Sequence, residues 1–196
     1  MTALTLFPLS AVLAPFGRMP LQIFEQRYLD LVKSSMRSGE GFGIILIKRG
    51  AEVGSQDLPV LAPVGSVAKI VDWDQLDNGL LGITVAGEQR FRPLQCRRAD
   101  NGLMYAEVEL LPAPDATPMI DDWESLLAVL VGLEAHPHVQ RMGLSVDQGD
   151  AWQVAYALLQ LLPLDERLKA ELLAIDVIEE LMGELDLLLN ALSGQD

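Results

Sequence analysis

The stretch LFPLSAVLAPFGRMPLQIFEQRYLDLV, residues 6–32, decides the fold that the sequence predicts. The apolar run Leu4–Leu9 predicts a strand, and Pro8 confines that run to a strand start or an edge. A loop follows, punctuated by Pro15, Gly17 and Pro20. Four side chains then recur at helical spacing, Phe24, Tyr28, Leu31 and Val32. This pattern predicts a helix lying across a sheet whose strands come later in the chain, so the segment organises the fold.

The residues up to about 112 are predicted to form a small, mostly antiparallel, barrel-like sheet with one helix. The helix is predicted over Glu25–Arg37, and Gly39 and Gly41 stop it. Apolar or alternating runs bounded by turn residues predict five further strands. These are Gly43–Arg49, Val64–Trp73, Leu80–Ala86, Arg90–Arg97 and Met104–Leu111. Short strands with tight turns are typical of a barrel-like antiparallel sheet.

The connections in this part are predicted from turn residues. Ser55–Pro63 is rich in turn formers and predicts a loop. Asp77-Asn78-Gly79 predicts a hairpin, because Asn-Gly supplies the positive φ angles that a type I′ turn requires. Asn101-Gly102 predicts a second hairpin.

Charge divides the chain. Residues 1–112 hold 11 basic and 12 acidic side chains, whereas residues 113–196 hold 3 basic and 16 acidic side chains. The two balances are −1 and −13, and this asymmetry favours two units with different surfaces. The change coincides with a proline cluster, Pro112, Pro114 and Pro118. We therefore expect a β domain over residues 1–112 and an acidic helical bundle over residues 113–196.

The bundle is predicted from helix caps. Asp121 and Asp122 are predicted to cap Trp123–Leu133, and His136–Gly149 is a loop or a broken helix. Asp150 is predicted to cap Ala151–Leu162. Asp165 is then expected to begin one continuous helix that reaches about Leu192, spanning roughly 42 Å at 1.5 Å per residue. An apolar stripe follows one side of it, Leu168, Leu172, Ile175, Met182, Leu185, Leu189 and Leu192, widened by Ile178, Leu181 and Leu188.

Composition limits the class of protein. The chain of 196 residues is 50% hydrophobic and 21% charged, which is typical of a globular protein. A single cysteine, Cys96, excludes an internal disulfide and fits a reducing compartment. No apolar run reaches the length of a membrane span. No Lys or Arg precedes Arg18, so the N-terminus lacks the positive segment of a secretory signal, and we expect a cytoplasmic protein.

Motifs for common chemistry are missing from the sequence. There is no GxxxxGK[ST] phosphate loop, no HExxH zinc motif and no GxSxG nucleophile elbow. The glycine-rich residues 39–43 follow a predicted helix and precede a strand, which is the wrong order for a dinucleotide-binding turn. The sequence therefore predicts a protein without enzymatic activity and without a cofactor.

Many short motifs in fixed order resemble the N-terminal substrate-binding domain of the ATP-dependent protease La (Lon) family. The resemblance begins with Leu6-Phe7-Pro8-Leu9 and Pro20-Leu21-Gln22-Ile23-Phe24-Glu25-Gln26-Arg27-Tyr28. It continues through Phe42-Gly43-Ile44, Glu52-Val53-Gly54, Val64-Gly65-Ser66-Val67-Ala68-Lys69-Ile70, Gly87-Glu88-Gln89-Arg90-Phe91-Arg92 and Leu161-Leu162-Pro163-Leu164. The sequence departs from the family pattern at Ala14, Gln22 and Gln26. The resemblance covers nearly the whole chain.

This resemblance implies a PUA-like β pseudobarrel followed by a helical bundle, without the ATPase and peptidase parts of the full proteases. It implies a stand-alone, non-catalytic module that captures peptides or unfolded protein segments, on the barrel or in the cleft that faces the bundle, by strand addition among other modes. The last helix is an alternative surface for a second copy or another protein. Candidate contact residues are Phe16, Met19, Glu25, Arg27 and Tyr28, of which Phe16 and Met19 are expected to be exposed.

Glu25 and Arg27 have a less specific interpretation. Residues two apart on a helix do not face each other, so we expect no salt bridge between them. Each side chain is expected to anchor the helix to loops of the barrel.

Three rival interpretations stay open. Six basic residues and Phe91 would form the strand face of an RNA-binding module, although the net charge of −14 opposes this interpretation. The six residues are Lys48, Arg49, Arg90, Arg92, Arg97 and Arg98. His136 and His138 fit an exposed loop better than a metal site, and Cys96 fits a buried strand position better than a reactive thiol. An unrecognised hydrolase would need a base such as Glu25 or Asp72, and a purely structural or oligomerisation role is also open.

Overall fold

The computed structural model describes residues 2–50 and 57–193 and has an α+β fold. The strands are β1 (Thr2–Leu9), β2 (Arg18–Ile23), β3 (Phe42–Arg49), β4 (Val60–Leu61), β5 (Gly65–Gln75), β6 (Leu81–Arg98) and β7 (Met104–Leu110). The α-helices are α1 (Gln26–Ser38), α2 (Glu124–Glu134), α3 (Pro137–Met142), α4 (Ala151–Leu161), α5 (Glu166–Leu173) and α6 (Ile178–Ser193). The predicted fold class is confirmed. The Glu52-Val53-Gly54 motif lies outside the described residues.

Five strands close into a ring in the order β1-β7-β6-β5-β3, with β1 and β3 completing it through a parallel pairing. All the other pairings are antiparallel. The β7 pairing covers Thr2–Leu6 of β1, so Pro8 lies beyond it and pairs with β3 alone. Proline is tolerated there because that side of the strand needs no ladder donor.

Strand β6 is a single strand of 18 residues, so the prediction of two separate strands, Leu80–Ala86 and Arg90–Arg97, is wrong. The strand stays continuous because it changes partners along its length. Its first half pairs with β2 and β5, and its second half pairs with β7. Gly87 marks the crossover, where an added Cβ would clash with the Ala14 carbonyl oxygen.

The two hairpins lie where Asn-Gly predicts them, but the predicted type I′ geometry is wrong. Gly79 and Gly102 have φ angles of 79° and 81°. Phe16 is the one non-glycine residue with a positive φ among the described residues, so neither asparagine adopts the required conformation. In each hairpin the glycine N–H bonds back to the carbonyl three residues earlier, at Leu76 and Ala99. These are longer loops in which only the glycine is left-handed.

Helix α1 packs on the barrel through Tyr28, Leu31 and Val32, which are buried as predicted. Phe24 does not join them, because it precedes the helix and is 70% exposed. Gly39 ends the helix in the left-handed conformation (φ 73°), and its N–H bonds to the Ser35 carbonyl.

The helical unit begins differently from the prediction. Asp121 and Asp122 lie inside a short 3-10 helix, Asp121–Trp123, and neither side chain caps α2. The caps predicted at Asp150 and Asp165 are confirmed. Each aspartate accepts a hydrogen bond from the backbone N–H two residues on, at 3.1 Å and 2.9 Å.

The predicted continuous helix from Asp165 to Leu192 is wrong, because residues 174–177 separate α5 from α6. No proline or glycine lies in that break. Arg90 of β6 reaches it instead, and its Nη1 donates to the carbonyls of Leu173 (2.9 Å) and Ile175 (3.0 Å). Its Nη2 pairs with Asp176 at 2.8 Å. The guanidinium therefore satisfies the carbonyls that a helix end leaves open, at the end where the helix dipole favours a cation.

Arg90 lies inside a core that the barrel and the bundle share. Its side chain is 5% exposed and lies 6.0 Å from the Trp152 ring centroid and 5.9 Å from that of Tyr156. One cluster of buried apolar side chains runs from Leu6 and Ile45 of the barrel to Met182 of α6. The division at residues 112 and 113 stays a prediction.

We expect Arg90→Met, which keeps most of the side-chain volume, to lower the free energy of unfolding by about 3 kcal/mol. The variant leaves two helix-end carbonyls without their charged donor. Urea unfolding followed by circular dichroism measures the loss. Arg92→Ala is the control, because Arg92 forms only an exposed pair with Glu109 and its removal should cost under about 1 kcal/mol. Equal losses in the two variants would contradict the role of Arg90.

Tyr156 generates a pH prediction. Burial raises the pKa of Tyr156 to about 12, against the opposing attraction of Arg90. The pKa of tyrosine in the unfolded chain is about 10. The contribution of the neutral hydroxyl to the free energy of unfolding is therefore fully present below pH 10, and it is lost as the pH rises through 12. Between pH 9 and pH 11, the free energy of unfolding of wild type should therefore fall by about 1 kcal/mol relative to that of Tyr156→Phe.

The control for this prediction is the same pair of proteins at neutral pH. Within the described residues the Tyr156 hydroxyl has no hydrogen-bond partner, so Tyr156→Phe should be as stable as wild type or slightly more stable. A stability difference between the two proteins that does not change from pH 9 to pH 11 would show that Tyr156 ionises normally.

Candidate functional site

Phe16 is the candidate contact residue with the most unusual backbone. Its φ of 61° places it in the left-handed region, which bulky residues rarely adopt. Its side chain is 44% exposed, and its ring centroid lies 6.5 Å from that of Tyr156 in α4. Phe16 thus presents an aromatic ring at the junction between the barrel and the bundle.

Met19 and Tyr28 are placed differently from Phe16. Met19 is buried in the core beneath α1, so the expectation that it is exposed is wrong. It lies in β2, where alternation points it inward beside Ile23. Tyr28 is also buried and stacks on Phe7 with ring centroids 3.8 Å apart.

Glu25 and Arg27 form the salt bridge that the sequence argument excluded. Arg27 Nε lies 2.9 Å from Glu25 Oε2. Glu25 has extended backbone angles and is the N-cap of α1, so the helical spacing rule does not apply to this pair. The expectation that these side chains anchor the helix to the barrel holds for Arg27. Its Nη1 donates to the Gly102 carbonyl at 2.7 Å and ties α1 to the β6–β7 hairpin.

Two members of the predicted basic strand face are buried. Arg90 and Phe91 are both buried, so neither can neutralise or stack on a nucleic acid. Arg92 pairs with Glu109 at 3.2 Å, and the Arg97 guanidinium lies 5.0 Å from the Tyr105 ring centroid. These contacts leave no continuous cationic surface along β6.

The histidines and the cysteine carry no visible site. His136 Nδ1 accepts a hydrogen bond from the His138 backbone N–H at 3.2 Å, which caps α3. Within residues 2–50 and 57–193, no cluster of three or more His, Cys, Asp and Glu side chains could hold a metal ion. Cys96 is partly buried in β6, and this burial raises the pKa of its thiol.

The sequence did not reveal a groove of about 270 Å³ along β2, β5 and β6. We call it the sheet groove. It is lined by Pro20, Leu21, Gln22, Asp72, Trp73, Asp74, Leu76, Gly82, Ile83 and Thr84. Trp73 is 59% exposed and is the largest residue in the lining. The signal in the sequence was an aromatic residue between two aspartates at the end of a strand.

A second hollow, of about 210 Å³, lies where the barrel meets α3, and we call it the bundle-side cavity. It is lined by Arg18, Pro20, Thr84, His138, Arg141 and Met142. Pro20 and Thr84 pair across β2 and β6 and also line the sheet groove, so the two hollows adjoin. We call the two adjoining hollows together the channel, which extends from β5 to α3.

The channel is suited to holding a ligand against its walls by side-chain contacts. Strand β2 pairs with β6 alone in the described part of the chain, so its other edge is open. Pro20 has no N–H to offer there, which weakens strand addition along that edge. Apolar contact with Trp73 and charge are the interactions that the channel supplies.

The fold defines the class: an α+β domain in which a closed barrel of strands adjoins a helical bundle. The profile of the ATP-dependent protease La (LON) substrate-binding domain matches residues 3–190. The chain therefore belongs to that family, as the resemblance implied.

Solved structures agree with this assignment. The crystal structure of a Lon N-terminal domain protein from Xanthomonas campestris is 32% identical, with a TM-score of 0.74, and the match covers 94% of this chain and 97% of that chain. The N-terminal domain of Lon protease from the Mycobacterium avium complex is 18% identical, with a TM-score of 0.64, and covers 94% and 96%. No curated protein matches the chain. Among the described residues, no helix is both long enough and apolar enough to cross a membrane.

Phe16 generates a stability prediction. A non-glycine residue in the left-handed region costs about 1–2 kcal/mol, and glycine escapes that cost. Phe16→Ala and Phe16→Gly both remove the ring and differ only in the backbone term. We expect Phe16→Gly to be about 1 kcal/mol more stable than Phe16→Ala in urea unfolding. The reverse order would mean that the loop does not hold a positive φ at this position.

Proposed function

We propose that this domain is a non-catalytic module that binds extended or unfolded polypeptide segments in the sheet groove. The exposure of Trp73 above a groove of about 270 Å³ carries the proposal. Tryptophan is enriched at the energetic centres of protein interfaces, because a large ring buries much surface at a small entropic cost. Membership of a substrate-binding family supports the same conclusion.

The rest of the groove wall fits an extended segment. Strands β2, β6 and β5 hydrogen-bond to one another along the groove, so the backbone beneath it is already paired. Ligand contact therefore falls to side chains, which suits a partner that has no fixed fold. A hollow beside Trp73 extends the apolar surface to Met36 and Val71, which are 45% and 46% exposed.

Three further expectations belong to this proposal. Phe16 and Glu25, which retain exposed surface, contribute contacts at the margins of the barrel. The domain acts in the cytoplasm, in keeping with its single cysteine. The alternative role is self-association through α6, on which Leu187 is 65% exposed.

We expect Trp73→Ala to weaken the binding of an unfolded protein at least five-fold, because the loss of a central aromatic contact costs about 1 kcal/mol or more. Fluorescence anisotropy with a labelled, reduced and carboxymethylated protein measures the affinity. Leu94→Ala is the matched control, since Leu94 is 52% exposed on the second half of β6 and does not line the groove.

Three results would distinguish the possible outcomes of this test. Weaker binding in Trp73→Ala alone supports the sheet groove. Equal affinities in wild type and both variants would place the binding surface elsewhere. No saturable binding by wild type at physiological salt would overturn the proposed function itself.

A further inference from the structure

The channel has opposite charges at its two ends. Asp72 and Asp74 flank Trp73 at one end, and Arg18 and Arg141 lie at the other. The described residues give none of these four side chains an ion-pair partner. The charges are therefore available to a ligand.

The acidic end combines two features that attract a cation. Asp72 and Asp74 each use one carboxylate oxygen to accept the next backbone N–H, at 2.9 Å and 2.8 Å, and their other oxygens are not hydrogen-bonded within the described residues. Asp72 pairs with Thr84 and Asp74 pairs with Gly82, so strand alternation places both carboxylates on the same face of β5. A lysine or arginine side chain gains from two such neighbouring carboxylates.

The basic end fits a carboxylate. The Arg18 guanidinium lies beside Gly143 at the end of α3, where an added Cβ would come within 3.0 Å of its Nη1. Arg141 of α3 lines the same cavity. A guanidinium can hold a carboxylate through two parallel hydrogen bonds, which gives this end a preference for acidic groups.

Strand register gives the distance between the ends. Asp74 pairs with Gly82, which pairs with Gln22, four residues along β2 from Arg18. Two strand spacings of about 4.8 Å and four rises of about 3.3 Å separate Asp74 and Arg18 by about 16 Å between Cα atoms. That is about four to five residues of extended chain, and a separation of four keeps both side chains on the same face because successive side chains alternate.

We propose that the channel selects extended polypeptide segments that carry a basic and an acidic residue about four positions apart. The basic side chain lies between Asp72 and Asp74, and the acidic side chain lies against Arg18 and Arg141. This inference rests on the proposed function and adds a charge pattern to it. The hollow beside Trp73 does not change the pattern, because it adds one charge of each sign, Lys69 and Glu40.

The test compares labelled ten-residue peptides of identical composition in fluorescence anisotropy at 0.15 M salt. One pair places lysine and glutamate four positions apart, in either order, with apolar residues between them. The control peptide places lysine and glutamate next to each other. We expect at least one separated peptide to bind about three- to ten-fold more tightly than the control, as two exposed ion pairs predict.

Variants assign this preference to the channel. The double variant Asp72→Asn with Asp74→Asn keeps the shape of the acidic end. Replacing the peptide lysine with glutamine should weaken binding to wild type and should have no effect on binding to this variant. Arg141→Gln should likewise remove the effect of replacing the peptide glutamate. Asp121→Asn with Asp122→Asn changes net charge equally, away from the channel residues, and should preserve the preference.

Equal affinity for separated and adjacent charges would overturn this inference and leave the proposed function standing. Loss of the preference in the Asp121 and Asp122 control would also overturn it, because net charge would then be the cause. If neither the peptides nor an unfolded protein binds, the proposed function itself fails.

Discussion

The buried guanidinium of Arg90 is the interaction on which the arrangement of barrel and bundle depends. A charge that is 5% exposed requires partners, and Arg90 finds all of them on the other unit: two carbonyls at the end of α5 and the Asp176 carboxylate. The side chain starts on β6, the strand shared by both halves of the barrel. Separating the bundle from the barrel would remove all three contacts and expose the apolar core that the two units share, so the units are coupled energetically.

The loop before β2 is held by the same contact region, and this fixes one end of the channel. The Val12 N–H donates to Glu166 of α5 at 2.6 Å, the Ala14 N–H donates to Gln160 of α4 at 3.0 Å, and Ser66 Oγ donates to the Leu13 carbonyl at 2.6 Å. A loop tied at three successive residues can hold Phe16 in a strained conformation. Arg18 follows immediately, so its position relative to α3 is set by the packing of the bundle.

The sequence predicted most of the features that depend on neighbouring residues and missed those that depend on distant ones. The caps at Asp150 and Asp165 and the stop at Gly39 follow from side chains within a few positions, and all three are present. The break before α6 could not be predicted, because it is made by Arg90, more than 80 residues away. The Glu25–Arg27 pair was excluded because a helix start was placed one residue early, which changes the rule that applies.

The channel escaped the sequence analysis for a related reason: its walls come from β2, β5, β6 and α3, and no local pattern brings these together. The predicted contact residues were chosen around β2, where Met19 and Tyr28 serve the core, while Pro20 and Gln22 on the opposite side of the same strand line the groove. A paired sheet face offers a ligand few backbone hydrogen bonds, and Pro20 removes one from the open edge. The proposed recognition through one tryptophan ring and separated charges would tolerate many sequences, which is the property that a receptor for unfolded chains requires.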